Sequence, residues 1–129
     1  MNASVTLVGR LLIGALFVTA GIRKLMYVAG TTGYLAKLGF PAADVMVWVA
    51  ILIEVGGGLA FIVGFQTRLV AWVLAGFTLV ATAMAHRFWE FDPAQYTNQL
   101  NHFLKNGAII GGLLMFATFG PGSASVDKR

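Results

Sequence analysis

Long apolar stretches, each broken by a few polar positions, set the pattern of this chain. The clearest runs from Val45 to Phe65, VMVWVAILIEVGGGLAFIVGF. At roughly 20 apolar residues it is long enough to cross a bilayer as a helix. Ala3 to Ile22 is another such stretch, interrupted by Arg10. Leu69 to Ala85 is close to the minimum crossing length. The last apolar run, Gly107 to Phe119, is too short to cross alone. Its helix must start upstream and carry the stripe Asn98, Asn101, His102 and Lys105 part-way into the membrane. Spans are thus predicted over residues 5–26, 43–64, 68–87 and 95–119.

The connections between these stretches carry their own signals. Thr31 to Leu38 reads as a short helix at the membrane surface, with Tyr34 and Leu35 dipping in and Lys37 in water. Gly39-Phe40-Pro41 stops it; Pro41 is placed to open the second span, and Asp44 favours a helix N-terminus. Gln66-Thr67-Arg68 is a tight polar connection, and Trp89 with its neighbouring charges forms an interfacial belt. Asp92-Pro93 marks a turn and helix start, and Gly120-Pro121-Gly122 ends the last helix. The first span lacks a basic region ahead of its apolar run and a small-x-small cleavage site, so it is expected to be retained.

The expected fold is all-α. A four-helix transmembrane bundle, with a short interfacial helix between spans one and two, forms one domain over residues 1–129. Four spans put both termini on one side. Counting every Lys and Arg gives almost no bias between sides. With Arg23, Lys24 and Lys105 discounted as bundle-facing, Arg68, Lys128 and Arg129 tip the termini towards the cytoplasm.

Composition acts mainly by exclusion. The chain is 58% hydrophobic and 11% charged, whereas a soluble domain carries about 25% charged residues and can cover its core with them. The net charge of +4 includes no Lys/Arg run, so no nucleic-acid partner is expected. The absence of Cys removes disulfides, thiolate nucleophiles, iron–sulfur clusters and Cys-type zinc sites.

Against this apolar background the charged positions stand out. Glu54 falls near the middle of its span, where a lipid-facing ionised side chain costs at least ~2.5–3.5 kcal/mol. It should face other helices and meet a cation. Arg10, Gly14, Phe17, Gly21 and Lys24 recur at steps of four and three, which places them on one helix face. Arg23 points roughly 100° away from Lys24. The plainer alternative has Arg10 and Lys24 snorkelling to opposite interfaces.

The binding-site candidates are Glu54, Lys24, His86 and Lys105, with Arg10 and Asn106 as outer members. Several cations over-compensate one carboxylate. A lipid phosphate or a semiquinone or quinolate oxygen would restore balance. Phe17, Phe61 and Phe103 are available to pack on an apolar ring or chain. The competing explanation is a buried polar network that only fixes helix register.

Other chemistry is poorly supported. Glu54, His86 and His102 do not show a recognised metal-ligand spacing, so no metal site is expected. There is no haem, dinucleotide or phosphate-loop motif, and no evident cofactor. Gly56-Gly57-Gly58 lies inside a membrane helix, and Gly107 with Gly111 reads as a small-xxx-small contact. No Ser or Thr sits in a triad context, so no catalytic residue is assigned. Few polar residues on the third span argue against an aqueous path through one protomer.

Taken in order, several pieces resemble the DoxX family of small bacterial inner-membrane proteins. They are Phe17-Val18-Thr19-Ala20-Gly21-Ile22-Arg23-Lys24, Leu38-Gly39-Phe40-Pro41, Glu54-Val55-Gly56-Gly57-Gly58-Leu59 and Gly64-Phe65-Gln66-Thr67-Arg68. His86, Phe103-Leu104-Lys105-Asn106, and the ending from Gly120-Pro121-Gly122 to Asp127-Lys128-Arg129 follow. The resemblance implies a multi-pass inner-membrane protein in a membrane redox, quinone-linked or oxidative-stress setting, rather than a named reaction. It implies membrane lipid, a quinone or another lipophilic ligand, and a second copy or a redox partner protein as partners. A non-catalytic assembly or lipid-binding subunit is the alternative, and a small proton-coupled transporter ranks below it.

Overall fold

Backbone groups in lipid must bond within their own segment, and the chain answers with helix throughout. The computed structural model describes residues 2–128; Met1 and Arg129, the latter used in the charge count above, lie outside them. Four helices are long and apolar enough to cross a membrane, and no strand occurs among the described residues. Helix α1 spans Ala3–Met26, and the Asn2 side chain caps it by accepting from the Ser4 and Val5 amides at 2.9 and 3.1 Å. Helix α2, Val28–Lys37, is the short surface helix.

The second span, Ala43–Val63, is not one regular helix. It consists of α3 (Ala43–Ile51), a π-helical turn (Leu52–Gly56) and α4 (Gly57–Val63). Pro41 does not open it. The chain first turns through Ala42 in the left-handed region (φ 49°), and the helix begins at Ala43, with Asp44 in its first turn. Gly64, at φ 75°, ends it with a backbone that glycine adopts without strain. Helix α5 covers Thr67–Ala85, followed by a single 3-10 turn at Phe88–Glu90. Helix α6, Pro93–Phe119, starts well upstream of its apolar run as its polar stripe requires; Asp92 caps it by accepting from the Gln95 amide at 3.1 Å.

Glycines set the closest helix approach. A Cβ on Gly14 would lie 2.3 Å from Ile62 Cγ1 and 3.0 Å from the Gly58 carbonyl oxygen, so α1 and α4 touch backbone to backbone. Further along the same stripe, Gly21 lets α1 close on the π turn, where a Cβ would meet Val55 at 2.5 Å. The second span packs in turn on α5, and α5 on α6. Phe17, Phe61, Leu74 and Leu113 form the apolar centre, with Phe61 edge-on to Phe116 at 5.1 Å. Gly107 and Gly111 behave differently from expectation. Nothing lies within 4 Å of a Cβ on either and both are exposed, so the pair makes no close helix–helix approach among the described residues.

The segment after α6 folds back as a strap over one end of the bundle. The Val126 and Asp127 amides donate to the Val63 and Gly64 carbonyls, each at 2.9 Å. The Asp127 carboxylate accepts from the Gln66 and Thr67 amides at 3.0 and 2.8 Å, serving as the N-terminal cap of α5 from 60 residues away. Arg10 is fully buried beneath the strap and donates to the Ile62 carbonyl at 2.7 Å and to the Ala124 carbonyl. Both described termini therefore lie at this end.

Candidate functional site

The opposite end of the bundle is open. A cavity of about 1070 Å³ lies among α1, α2, the second span, α5 and α6. Its walls are mostly apolar, including Phe17, Tyr34, Phe40, Trp72 and Phe77. Lys24, Glu54, His86, Lys105 and Asn106 all line it. Five of the six residues singled out from sequence thus share one space.

Glu54 sits in the π turn and is buried. Wide turns of this kind occur mostly as single-turn insertions within α-helices, frequently at functional sites. Lys24 Nζ lies 2.7 Å from Glu54 Oε1. This one contact uses only part of the carboxylate's acceptor capacity, so Glu54 can still accept a hydrogen bond from a ligand. Gly21, three residues before Lys24, makes this approach feasible: a Cβ there would lie 3.0 Å from Glu54 Cβ.

Helices α5 and α6 supply the rest of the polar end. Asn106 Nδ2 donates to Thr82 Oγ1 at 2.9 Å, and the Thr82 and Thr78 hydroxyls donate to the Thr78 and Leu74 carbonyls at 2.7 Å. His86 Nδ1 lies 2.8 Å from Gln99 Oε1, and its ring stacks on that of His102 with centroids 4.8 Å apart. No three His, Asp or Glu side chains cluster in metal-binding geometry among the described residues.

Three sequence assignments change. Arg10 does not line the cavity; it lies 14 residues before Lys24 on the same helix, roughly 21 Å away, and holds the strap. Phe61 is in the closed core, and Phe103 packs against Phe88 and Trp89 beside a separate cavity of about 360 Å³, leaving Phe17 as the one named phenylalanine in the main cavity. Arg23, set apart from Lys24 by helix angle, nevertheless lines the same wide cavity. Thr78 was also missed. Its only sequence signal was the four-residue step to Thr82 on an apolar helix.

Residues 5–87 match the DoxX family. The chain belongs to that family. It is similar to the inner membrane protein YqjF of Escherichia coli K12, 43% identical over 122 residues, covering 95% of this chain and 88% of the relative. It is also 31% identical over 123 residues to the inner membrane protein YphA of the same organism, with the same coverage. No solved structure matches it. Together with the four apolar spans, these relatives place the chain in an inner membrane. The matched DoxX segment carries Lys24, Glu54 and His86, while Lys105 and Asn106 come from α6 beyond it.

Proposed function

We propose that this DoxX-family protein binds a lipophilic ring or chain whose electron-rich head enters the polar end of the cavity. The supporting observation is Glu54: buried, neutralised by Lys24, and lining an apolar space with an oxygen still able to accept a hydrogen bond. Ligand sites of this kind combine apolar walls with a few placed polar groups. Because the Lys24–Glu54 pair is self-neutralising, the deep end suits an uncharged head with a hydroxyl to donate or a carbonyl to accept.

A quinone or quinol has both features, and the redox setting implied by the family resemblance favours it. Glu54 would accept from a quinol hydroxyl, Lys24 and Lys105 would donate to a quinone oxygen, and His86 at the cavity wall could exchange the proton. Electron transfer would require a partner protein or acceptor, since the chain has no recognisable cofactor motif.

The test is a titration of the purified protein with a soluble quinone, followed by intrinsic Trp fluorescence and repeated on Glu54→Gln and Lys105→Ala. Saturable quenching in the parent, weakened in both variants, is the expected result. Identical, non-saturating quenching in all three would leave a structural ion pair and no quinone site.

A further inference from the structure

The cations of the cavity divide into two groups. Lys24 is matched by Glu54. Arg23 and Lys105 also line the cavity, yet neither has a hydrogen bond or ion pair among the described residues. Both side chains are exposed, so they reach into open space.

Their depth can be read from helix register. Gly57 faces Leu74, which sets Thr78 about level with Glu54 on the neighbouring helix. Asn106 meets Thr82, one turn nearer the open end, and Lys105 adjoins it. At 1.5 Å per residue, Lys105 lies roughly 8–9 Å outward of Glu54. Arg23 belongs to the last turn of α1 at the same end. From there the wall of α1 continues through Thr19, Leu16 and Leu12, the last being 11 residues from Arg23, or roughly 16 Å. A charged rim thus stands above a long apolar wall.

We infer that Arg23 and Lys105 form a rim subsite for the net-anionic phosphate head of a membrane lipid, one without a neutralising ammonium, whose acyl chain lies along the cavity wall. Three cations face one carboxylate in this cavity. An uncharged ligand at Glu54 leaves the charge of the two rim cations unbalanced, even where Lys105 donates a hydrogen bond to it, and an anionic phosphate balances it. Basic pockets between membrane helices bind lipid head groups by this chemistry. The Arg23 guanidinium adds a planar donor fork suited to two phosphate oxygens. The subsite rests on the cavity being open to lipophiles, as proposed above, but not on a quinone at Glu54.

Trp72 lines the cavity, whereas Trp48 does not and Trp89 borders the smaller one. The probe is a Trp48→Phe/Trp89→Phe background in neutral detergent, titrated with phosphatidylglycerol or phosphatidylcholine carrying brominated acyl chains. Quenching of Trp72 should saturate at about thirtyfold lower phosphatidylglycerol than phosphatidylcholine, in line with ~1 kcal/mol for each of the two rim cations. Arg23→Gln/Lys105→Gln should bring the two lipids to parity, and Arg23→Lys/Lys105→Arg should keep most of the preference. The charge-preserving pair also controls for folding. Equal quenching by both lipids in the parent, or a preference that survives the Gln pair, would overturn the subsite. Displacement of phosphatidylglycerol by millimolar inorganic phosphate would assign the cations to free phosphate and overturn the lipid. If quinone quenching remains saturable while lipid preference is absent, only the rim subsite fails. If neither ligand saturates, the cavity's role as a lipophile site fails with it.

Discussion

Lys24 and Glu54 meet at 2.7 Å across the seam between the first and second spans, and they are unequally sheltered. Their side chains are 29% and 4% exposed. Removing Lys24 strands a buried carboxylate, whereas removing Glu54 leaves a lysine that can still turn towards the open end. Lys24→Met should therefore cost more than Glu54→Gln. The expected values are up to ~3–5 kcal/mol for the first and roughly half that for the second, with the double variant recovering much of the loss. Thermal unfolding of the four proteins in one detergent checks this. A larger loss for Glu54→Gln would mean that Lys24 is the confined partner.

Arg10 should prove structural. Its fork reaches two carbonyls on different segments, Ile62 and Ala124, and a lysine cannot span both as a planar group. Arg10→Lys should lose one charge-assisted hydrogen bond, about 1.5–3 kcal/mol, while leaving quinone and lipid titrations at the far cavity unchanged. Melting and titration of the same preparation test both halves. A changed ligand affinity with unchanged stability would return Arg10 to the site.

The glycines should separate by position. Gly14→Ala places a Cβ 2.3 Å from Ile62 Cγ1 and 3.0 Å from the Gly58 carbonyl oxygen, so it should lower the melting temperature. Gly111→Ala meets nothing within 4 Å and should leave stability unchanged or raise it by up to ~1 kcal/mol through helix propensity. A destabilised Gly111→Ala protein, with a concentration-dependent melt, would reveal a second copy against that stripe.

Both described ends of the chain lie on the strap side, and with the cavity cations Arg23, Lys24 and Lys105 set aside, Arg68, Lys128 and Arg129 outweigh Lys37 and Arg87 and favour the cytoplasm for that side. A green fluorescent protein fused after Arg129 should be fluorescent in cells, and alkaline phosphatase fused there should be inactive. The reverse pair of results would invert the topology.

Much of this architecture was legible because lipid leaves the chain few choices. Span length, the inward stripe Arg10–Gly14–Phe17–Gly21–Lys24 and the upstream start of α6 all follow from apolar run length and helical spacing. The π turn at Leu52–Gly56 was not legible, since one wide turn barely disturbs an apolar run. The helical stripe offered Arg10 an inner face, with snorkelling as the alternative, but could not show its partners, which are main-chain carbonyls that any residue type could supply. Gly107 and Gly111 show the converse problem. Their spacing matches a packing motif, but spacing alone does not say whether a helix approaches, and among the described residues none comes within 4 Å of a Cβ there.

The strap also orders events in time. Arg10 is synthesised well before one of its acceptors, the Ala124 carbonyl, which lies 114 residues later. At ribosomal speeds of about 5–20 residues per second, the first helix waits on the order of ten seconds for that partner. The α5 N-terminus waits similarly for Asp127, 60 residues behind it. A product released early would keep its four spans but expose an unmatched arginine and an uncapped helix at the same end. The strap thus makes the bundle's end depend on chain made after all four spans.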